Sequence, residues 1–305
     1  VNKIRLFEHG APGSQNLKLT RKYYTENMPD GRVKHIVQNI TDPDIVPYIP
    51  DGIGNSTDRQ RIPAVLIIPG GAFRRLVYNF EGEDVAKWLN SMGIAAFVLE
   101  CRLPSDEHDN AEDVPLIDAM RAMRVIRGRA QEFGIDEAKI GVMGFSAGGF
   151  MAALLSTAYE SDVYADYKYK DEYDKLSARP DFAVCSYPVI SIDDCIEAGK
   201  RYMSEEQVLE RISDSKAKIL HKYNPDKLVR PDMPPVFICE TDDDRTTLSE
   251  NSVGFYMAAR KAGVSAELHI FRTGGHGYGC GDDFAQTGEW KVLFTKWIKS
   301  IGIIS

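Results

Sequence analysis

A chain of 305 residues, 43% hydrophobic and 27% charged, has the composition of a globular protein with a large core, which excludes a predominantly disordered one. A formal net charge of −8 without a clustered run of Lys and Arg argues against nucleic acid and other polyanions as partners. No apolar run approaches the ~20 residues of a membrane-spanning helix, and five scattered cysteines (Cys101, Cys185, Cys195, Cys239, Cys280) suit buried free thiols rather than a zinc ribbon or a full disulfide set.

After a polar lead-in, residues 33–40 read as extended, and the Pro-, Asp- and Gly-rich residues 41–54 as edge strands and loops. From Pro63 the pattern changes to short, nearly continuous apolar runs at 64–68, 94–99, 139–143, 182–186 and 236–239, the signature of strands buried on both faces. Between and after them, helical periodicity covers 83–92, 114–133, 147–158, 249–262 and 287–298. Such alternation predicts a mostly parallel central sheet flanked by helices, in a single domain over residues 1–305. Two segments interrupt it, the Tyr-rich 159–179 and the charged 197–230, and both are expected as small lid insertions near the mouth of the active site.

The apolar run at 139–143 leads into Gly144, Ser146 and Gly148, a G-x-S-x-G turn followed by a helix of small residues. That context lets the flanking glycines hold a serine in a strained turn, its hydroxyl above the sheet, where the same pentapeptide elsewhere is only a tight turn. A serine hydroxyl is a poor nucleophile near neutral pH and needs a base, itself oriented by a carboxylate, and in this chain order both follow the serine. His276 lies among glycines after the strand-like residues 266–271, whereas His269 sits inside that strand and His9, His35, His108 and His221 have no such setting. For the acid, residues 242–244 offer three adjacent carboxylates after the 236–240 strand. Asp243 is expected to turn back toward His276, with Asp242 and Asp244 capping the loop or the next helix and remaining alternatives. Donors for a developing oxyanion are expected from the glycine-rich loop after residue 68, through the amides of Gly71 and Ala72, together with that of Ala147.

No metal is expected, since Asp106, His108 and Asp109 stand in a polar loop read as solvated. No cofactor is expected either, because the glycines form neither a dinucleotide nor a P-loop fingerprint.

With these residues in hand the chain resembles the α/β-hydrolase superfamily, and within it the acetyl-esterase and acetylxylan-esterase-like branch of bacterial carbohydrate esterases. The resemblance spans most of the chain and rests on residues 11–14, 69–73, 81–82, 102–104, 118–122, 144–149, 179–182, 187–188, 250–252 and 274–278. It implies the α/β-hydrolase fold, with Ser146 as nucleophile, His276 as base and then acid, and Asp243 as its partner. Pro69 stands where many relatives carry a histidine before the paired glycines, which leaves backbone donors intact. The implied activity is removal of acetyl groups from acetylated xylan or its oligosaccharides. Localisation stays open between export, which the resemblance and Val1 rather than Met at the start suggest, and the cytoplasm. A feruloyl or other bulky-acyl esterase is a second reading, with Phe73, Tyr187 and Tyr278 as candidate pocket aromatics. A peptidase would need a further large domain, and a non-catalytic carbohydrate-binding relative would not need all three triad residues.

Overall fold

The apolar runs of the sequence become neighbouring strands with both faces covered by helices. The computed structural model describes residues 2–52, 61–201, 203–204, 206–208, 215–281 and 286–305. In chain order the strands are β1 (Ile4–Arg5), β2 (Lys22–Asn27), β3 (Val33–Gln38), β4 (Asp44–Tyr48), β5 (Ile62–Ile68), β6 (Leu76–Val77), β7 (Ala95–Glu100), β8 (Ile135–Phe145), β9 (Ala183–Ser186), β10 (Val236–Thr241) and β11 (Ala266–Phe271). The α-helices are α1 (Asp84–Ser91), α2 (Val114–Gly128), α3 (Ala130–Phe133), α4 (Ala147–Ala158), α5 (Ile192–Lys200), α6 (Ser215–Lys222), α7 (Ser249–Lys261) and α8 (Trp290–Ser300).

Eight strands form one sheet in the order β1-β4-β7-β5-β8-β9-β10-β11. From β7 to β11 every pairing is parallel, and β1 and β4 add an antiparallel edge. Strands β2, β3 and β6 make a separate antiparallel sheet. Alternation within each central strand divides the core in two. In β5, Ala64, Leu66 and Ile68 join Met120, Phe150 and Phe255 of α2, α4 and α7, while Val65 and Ile67 join Leu89 of α1 and Trp290 and Phe294 of α8. Each fully buried Val, Leu or Ile contributes roughly 1.5–3 kcal/mol, so a continuous apolar strand is what this two-sided site selects.

Three local readings change. The polar lead-in contains β2, whose half-exposed KYYTEN segment has no apolar face for a periodicity argument to find. The helix expected over 114–133 divides at Arg129 into α2 and α3. His108, read as solvated, is 5% exposed and shares a 3.0 Å hydrogen bond between Nδ1 and Ser14 Oγ. Burial, with the Arg102 charge, lowers its pKa to about 4. Cys101, Cys185, Cys239 and Cys280 are buried thiols without a disulfide; the Cys195 side chain lies outside the described residues.

The Tyr-rich segment 159–179 packs along α2, where Asp171 and Asp174 pair with Arg121 and Tyr167 Oη donates to Gly10 O at 2.9 Å. Its residues 162–169 line a cavity with Pro12, Gly13 and Asn110, the last in the loop after β7. Segment 197–230, of which 202, 205 and 209–214 are outside the described residues, lies beside the loop after β7, where Lys222 Nζ is 2.7 Å from Asp113.

Candidate active site

The carboxyl ends of the parallel strands collect the chemically distinctive residues. Ser146 joins β8 to α4 with φ 55° and ψ −118°, a conformation strained for a residue with a Cβ. Its amide donates to Ser186 O of β9 at 3.0 Å, which fixes the turn to the neighbouring strand. The glycines are required by space. A Cβ on Gly144 would stand 1.9 Å from Gly148 O, and one on Gly148 would stand 1.9 Å from Ile68 O.

His276 Nε2 lies 2.8 Å from Ser146 Oγ, and its Nδ1 lies 2.6 Å from Asp244 Oδ2. The structure therefore brings Ser146 and His276 together but places Asp244, not Asp243, against the imidazole. Strand β10 continues to Thr241, and the turn that follows, with the Asp244 amide on Thr241 O at 3.3 Å, rotates Asp244 inward. Asp243 faces the other way, and its Oδ1 accepts the amides of Gly274 and Gly275 at 3.0 and 2.8 Å, holding the histidine loop rather than the ring. The amide of Asp242 donates to Phe271 O at 2.8 Å.

Asp244 is 2% exposed. Burial alone pushes its carboxyl up, but the His276 hydrogen bond and charge and the Thr246 and Thr247 amides outweigh burial and hold it below the usual range. A charged Asp244 accepts only, so Nδ1 of His276 carries the proton and Nε2 is free to accept from the Ser146 hydroxyl. Behind it, the fully buried Glu240 accepts the Thr241 amide at 2.9 Å and the Ser252 hydroxyl at 3.3 Å. Burial, and then the negative Asp244, push its carboxyl well above the ordinary range.

Gly71 (φ 137°), Ala72 (φ 58°) and Phe73 (φ 60°) form a run of positive φ after β5. Arg74 and Arg75 close it with amide bonds to Gly71 O at 3.2 and 3.3 Å. Gly71 and Ala72 line a cavity of about 180 Å³ with Ser146, His276, Glu81 and Lys34. Ala147 opens α4 beside Ser146, where the first amides of a helix lack intrahelical acceptors. Successive amides turned in one direction suit a developing negative charge. Phe73, Tyr187 and Tyr278, the aromatics considered for a bulky acyl group, are 4%, 0% and 4% exposed and belong to the core rather than to the lining of this cavity.

Sequence reasoning gave Glu81 no function of its own and considered Tyr187 only as an aromatic of a bulky-acyl pocket, yet both support the site. The Tyr187 ring meets His276 edge-on at 5.0 Å, and its hydroxyl donates to Glu81 Oε1 at 3.0 Å. Nothing in a Glu-Gly pair ahead of a helix distinguishes this role from an ordinary acidic first turn.

Fold, strained serine turn and hydroxyl–imidazole–carboxylate chain together define an α/β-hydrolase. The BD-FAE family matches residues 53–258, and the chain belongs to that family. The chain is 31% identical over 240 residues to an acetylxylan esterase from Xylanibacter ruminicola, covering 78% of this chain and 45% of that protein. It is 29% identical over 269 residues to endo-1,4-beta-xylanase B from Butyrivibrio fibrisolvens, covering 86% and 40%. The chain thus spans less than half the length of these two relatives. Among solved structures, the acetyl ester-xyloside bifunctional hydrolase from Caldicellulosiruptor lactoaceticus is similar with a TM-score of 0.74 and 35% identity over 100% of this chain and 97% of that one. The carboxylesterase Cest-2923 from Lactobacillus plantarum shares the fold with a TM-score of 0.67 and 21% identity over 94% and 99% of the two chains. Among the described residues, no helix is long and apolar enough to cross a membrane.

Proposed function

We propose that the chain is a serine carboxylic-ester hydrolase that removes small acyl groups, acetyl foremost, from acetylated xylan or its oligosaccharides. The observation that carries the reading is the unbroken chain from Ser146 Oγ through His276 to the buried Asp244, opening on a cavity lined by the Gly71–Ala72 loop. Ser146 Oγ attacks the ester carbonyl while His276 Nε2 takes its proton, and Asp244 stabilises the imidazolium that forms. The amides of Ala72 and Ala147, with Gly71, receive the oxyanion. His276 then gives its proton to the departing sugar oxygen, and a water molecule activated by the same ring releases acetate from the acyl-serine. Similarity to an acetylxylan esterase and to an acetyl ester-xyloside hydrolase supports acetylated xylose units as substrate. The burial of Phe73, Tyr187 and Tyr278 removes the support for a feruloyl pocket.

Acetate release from acetylated xylo-oligosaccharides, and 4-nitrophenol release from its acetate ester, should be readily measured for the wild type and abolished in Ser146→Ala. A fluorophosphonate should label only the former. Equal turnover by both proteins would reject the serine mechanism, while turnover of the nitrophenyl ester without acetate release from the sugar would reject the substrate.

A further inference from the structure

Glu81 is the acid of this site that the proposed mechanism leaves unused. It is 5% exposed, it lines the cavity with Ser146 and His276, and its carboxyl receives two hydrogen bonds from different parts of the fold. Oε2 accepts the Gly70 amide at 2.8 Å, and Oε1 accepts the Tyr187 hydroxyl at 3.0 Å. The Tyr187 oxygen in turn accepts the Gly279 amide at 3.1 Å. Gly70 immediately precedes the positive-φ run of Gly71, Ala72 and Phe73, and Gly279 lies three residues beyond His276. One buried carboxyl and one buried phenol therefore join the loop expected to hold the oxyanion to the loop that carries the base.

We infer that Glu81 is a positioning residue that, together with Tyr187, locks the Gly70–Phe73 loop and the His276 loop into one mutual geometry around Ser146. The inference rests on the ester-hydrolase reading for its effect on rate. The observation that most favours it is strain. Two consecutive non-glycine residues at positive φ each cost about 1–3 kcal/mol and persist only where the surroundings over-determine them. At the exit of the loop that constraint comes from the Arg74 and Arg75 amides on Gly71 O and from the Val77 amide on Gly70 O at 2.9 Å. At its entry the constraint is Glu81. Space leaves little alternative, because a Cβ on Gly70 would lie 2.4 Å from Phe145 O, 2.7 Å from Glu81 Oε2 and 2.9 Å from the Ser146 Cβ. With its amide held by Glu81, Gly70 is withdrawn from the donors facing the cavity, and the amides that follow it are oriented there. Gly82, next in the chain, lets this turn lie against β7, since a Cβ there would come 2.9 Å from Val98. Tyr187 is itself held at φ 38° with its amide on Cys239 O at 2.7 Å, so the connection has a rigid middle.

The test compares wild type, Glu81→Ala, Glu81→Gln and Tyr187→Phe by kcat and KM for 4-nitrophenyl acetate, per folded protein by circular dichroism, and by hydrogen exchange of the amides of 70–77 and 276–279. Displacing an oxyanion donor costs about 100-fold or more in kcat. Glu81→Ala should lose that much with KM within about threefold, and Glu81→Gln, which keeps an acceptor for Gly70, should recover to within about tenfold of wild type. Exchange should accelerate in both loops of Glu81→Ala, and in the 276–279 loop of Tyr187→Phe. A folded Glu81→Ala with wild-type kcat, or one with raised KM alone, would overturn the inference. If that variant does not fold, wild-type kcat and exchange in Tyr187→Phe overturn it instead. A wild type inert toward every ester would sink the enzymatic reading, and the exchange data alone would then decide whether Glu81 couples the loops.

Discussion

Replacing Asp244 by Asn tests the corrected assignment of the acid with little change in volume. Asp244 Oδ1 accepts the Thr246 and Thr247 amides at 2.7 and 3.0 Å, and Oδ2 accepts the Thr247 hydroxyl and faces His276 Nδ1 at 2.6 Å. Two backbone N–H donors on Oδ1 oblige an asparagine to keep its oxygen there, which puts its NH2 group where Oδ2 was. That NH2 can only donate to Nδ1, so His276 must carry its proton on Nε2, pointing at Ser146 Oγ, and can no longer accept from it. The wrong tautomer costs about 10⁴-fold in kcat, or ~5.5 kcal/mol of transition-state stabilisation. Asp243→Asn retains an oxygen for the Gly274 and Gly275 amides at an exposed position, so its kcat should stay within about tenfold. Initial rates on 4-nitrophenyl acetate for both variants, with unchanged circular dichroism, provide the comparison. Collapse of Asp243→Asn with near-normal turnover of Asp244→Asn would refute the assignment.

Two further predictions concern stability. Arg102 and Asp118 have fully buried side chains joined by Nη2–Oδ1 at 2.6 Å, and Asp118→Asn leaves the guanidinium without its counter-charge. The loss should be about 3–5 kcal/mol in urea unfolding, and a change under ~1 kcal/mol would show that the pair is not what holds the region. The Glu240 carboxyl is raised in the folded state, first by burial, so it keeps its proton to higher pH when folded than when unfolded. That contribution is present at low pH and is lost as pH rises through the interval between the two values. Glu240→Gln, neutral throughout, should gain Tm relative to wild type on going from about pH 5 to pH 8, and a relative loss would contradict the sign.

How far the sequence determines each part depends on whether the determining force is local. Continuous apolar strands, helical periodicity and the glycines around Ser146 report local requirements: two-sided burial, one buried face, and a backbone approach of 1.9 Å that no side chain permits. These features were legible. So was His276, since the glycines at 275 and 277 adopt φ 62° and 77°. The choice among Asp242, Asp243 and Asp244 was not, because it turns on one extra residue in β10, and element ends are the least local property of a strand.

Two physical groups stand out among the motifs that carried the family resemblance. Residues 11–14, 102 and 118 meet in one buried cluster, where Arg102 bonds Asp118, the Ser14 hydroxyl at 2.8 Å and Pro12 O, and neither Ser14, Arg102 nor Asp118 lines the cavity that holds Ser146 and His276. These residues secure the loop that follows β7. The second group, Gly70–Phe73, Glu81, Ser146, Tyr187 and His276, contains four of the chain's positive-φ non-glycine residues, Ala72, Phe73, Ser146 and Tyr187. At roughly 1–3 kcal/mol each, such strain approaches the net stability of an ordinary domain. It can be tolerated only where rigid neighbours on all sides offset it. The carboxyl ends of the parallel strands, with strongly buried sheet beneath them and the Glu81–Tyr187 connection across them, are where this fold provides that rigidity.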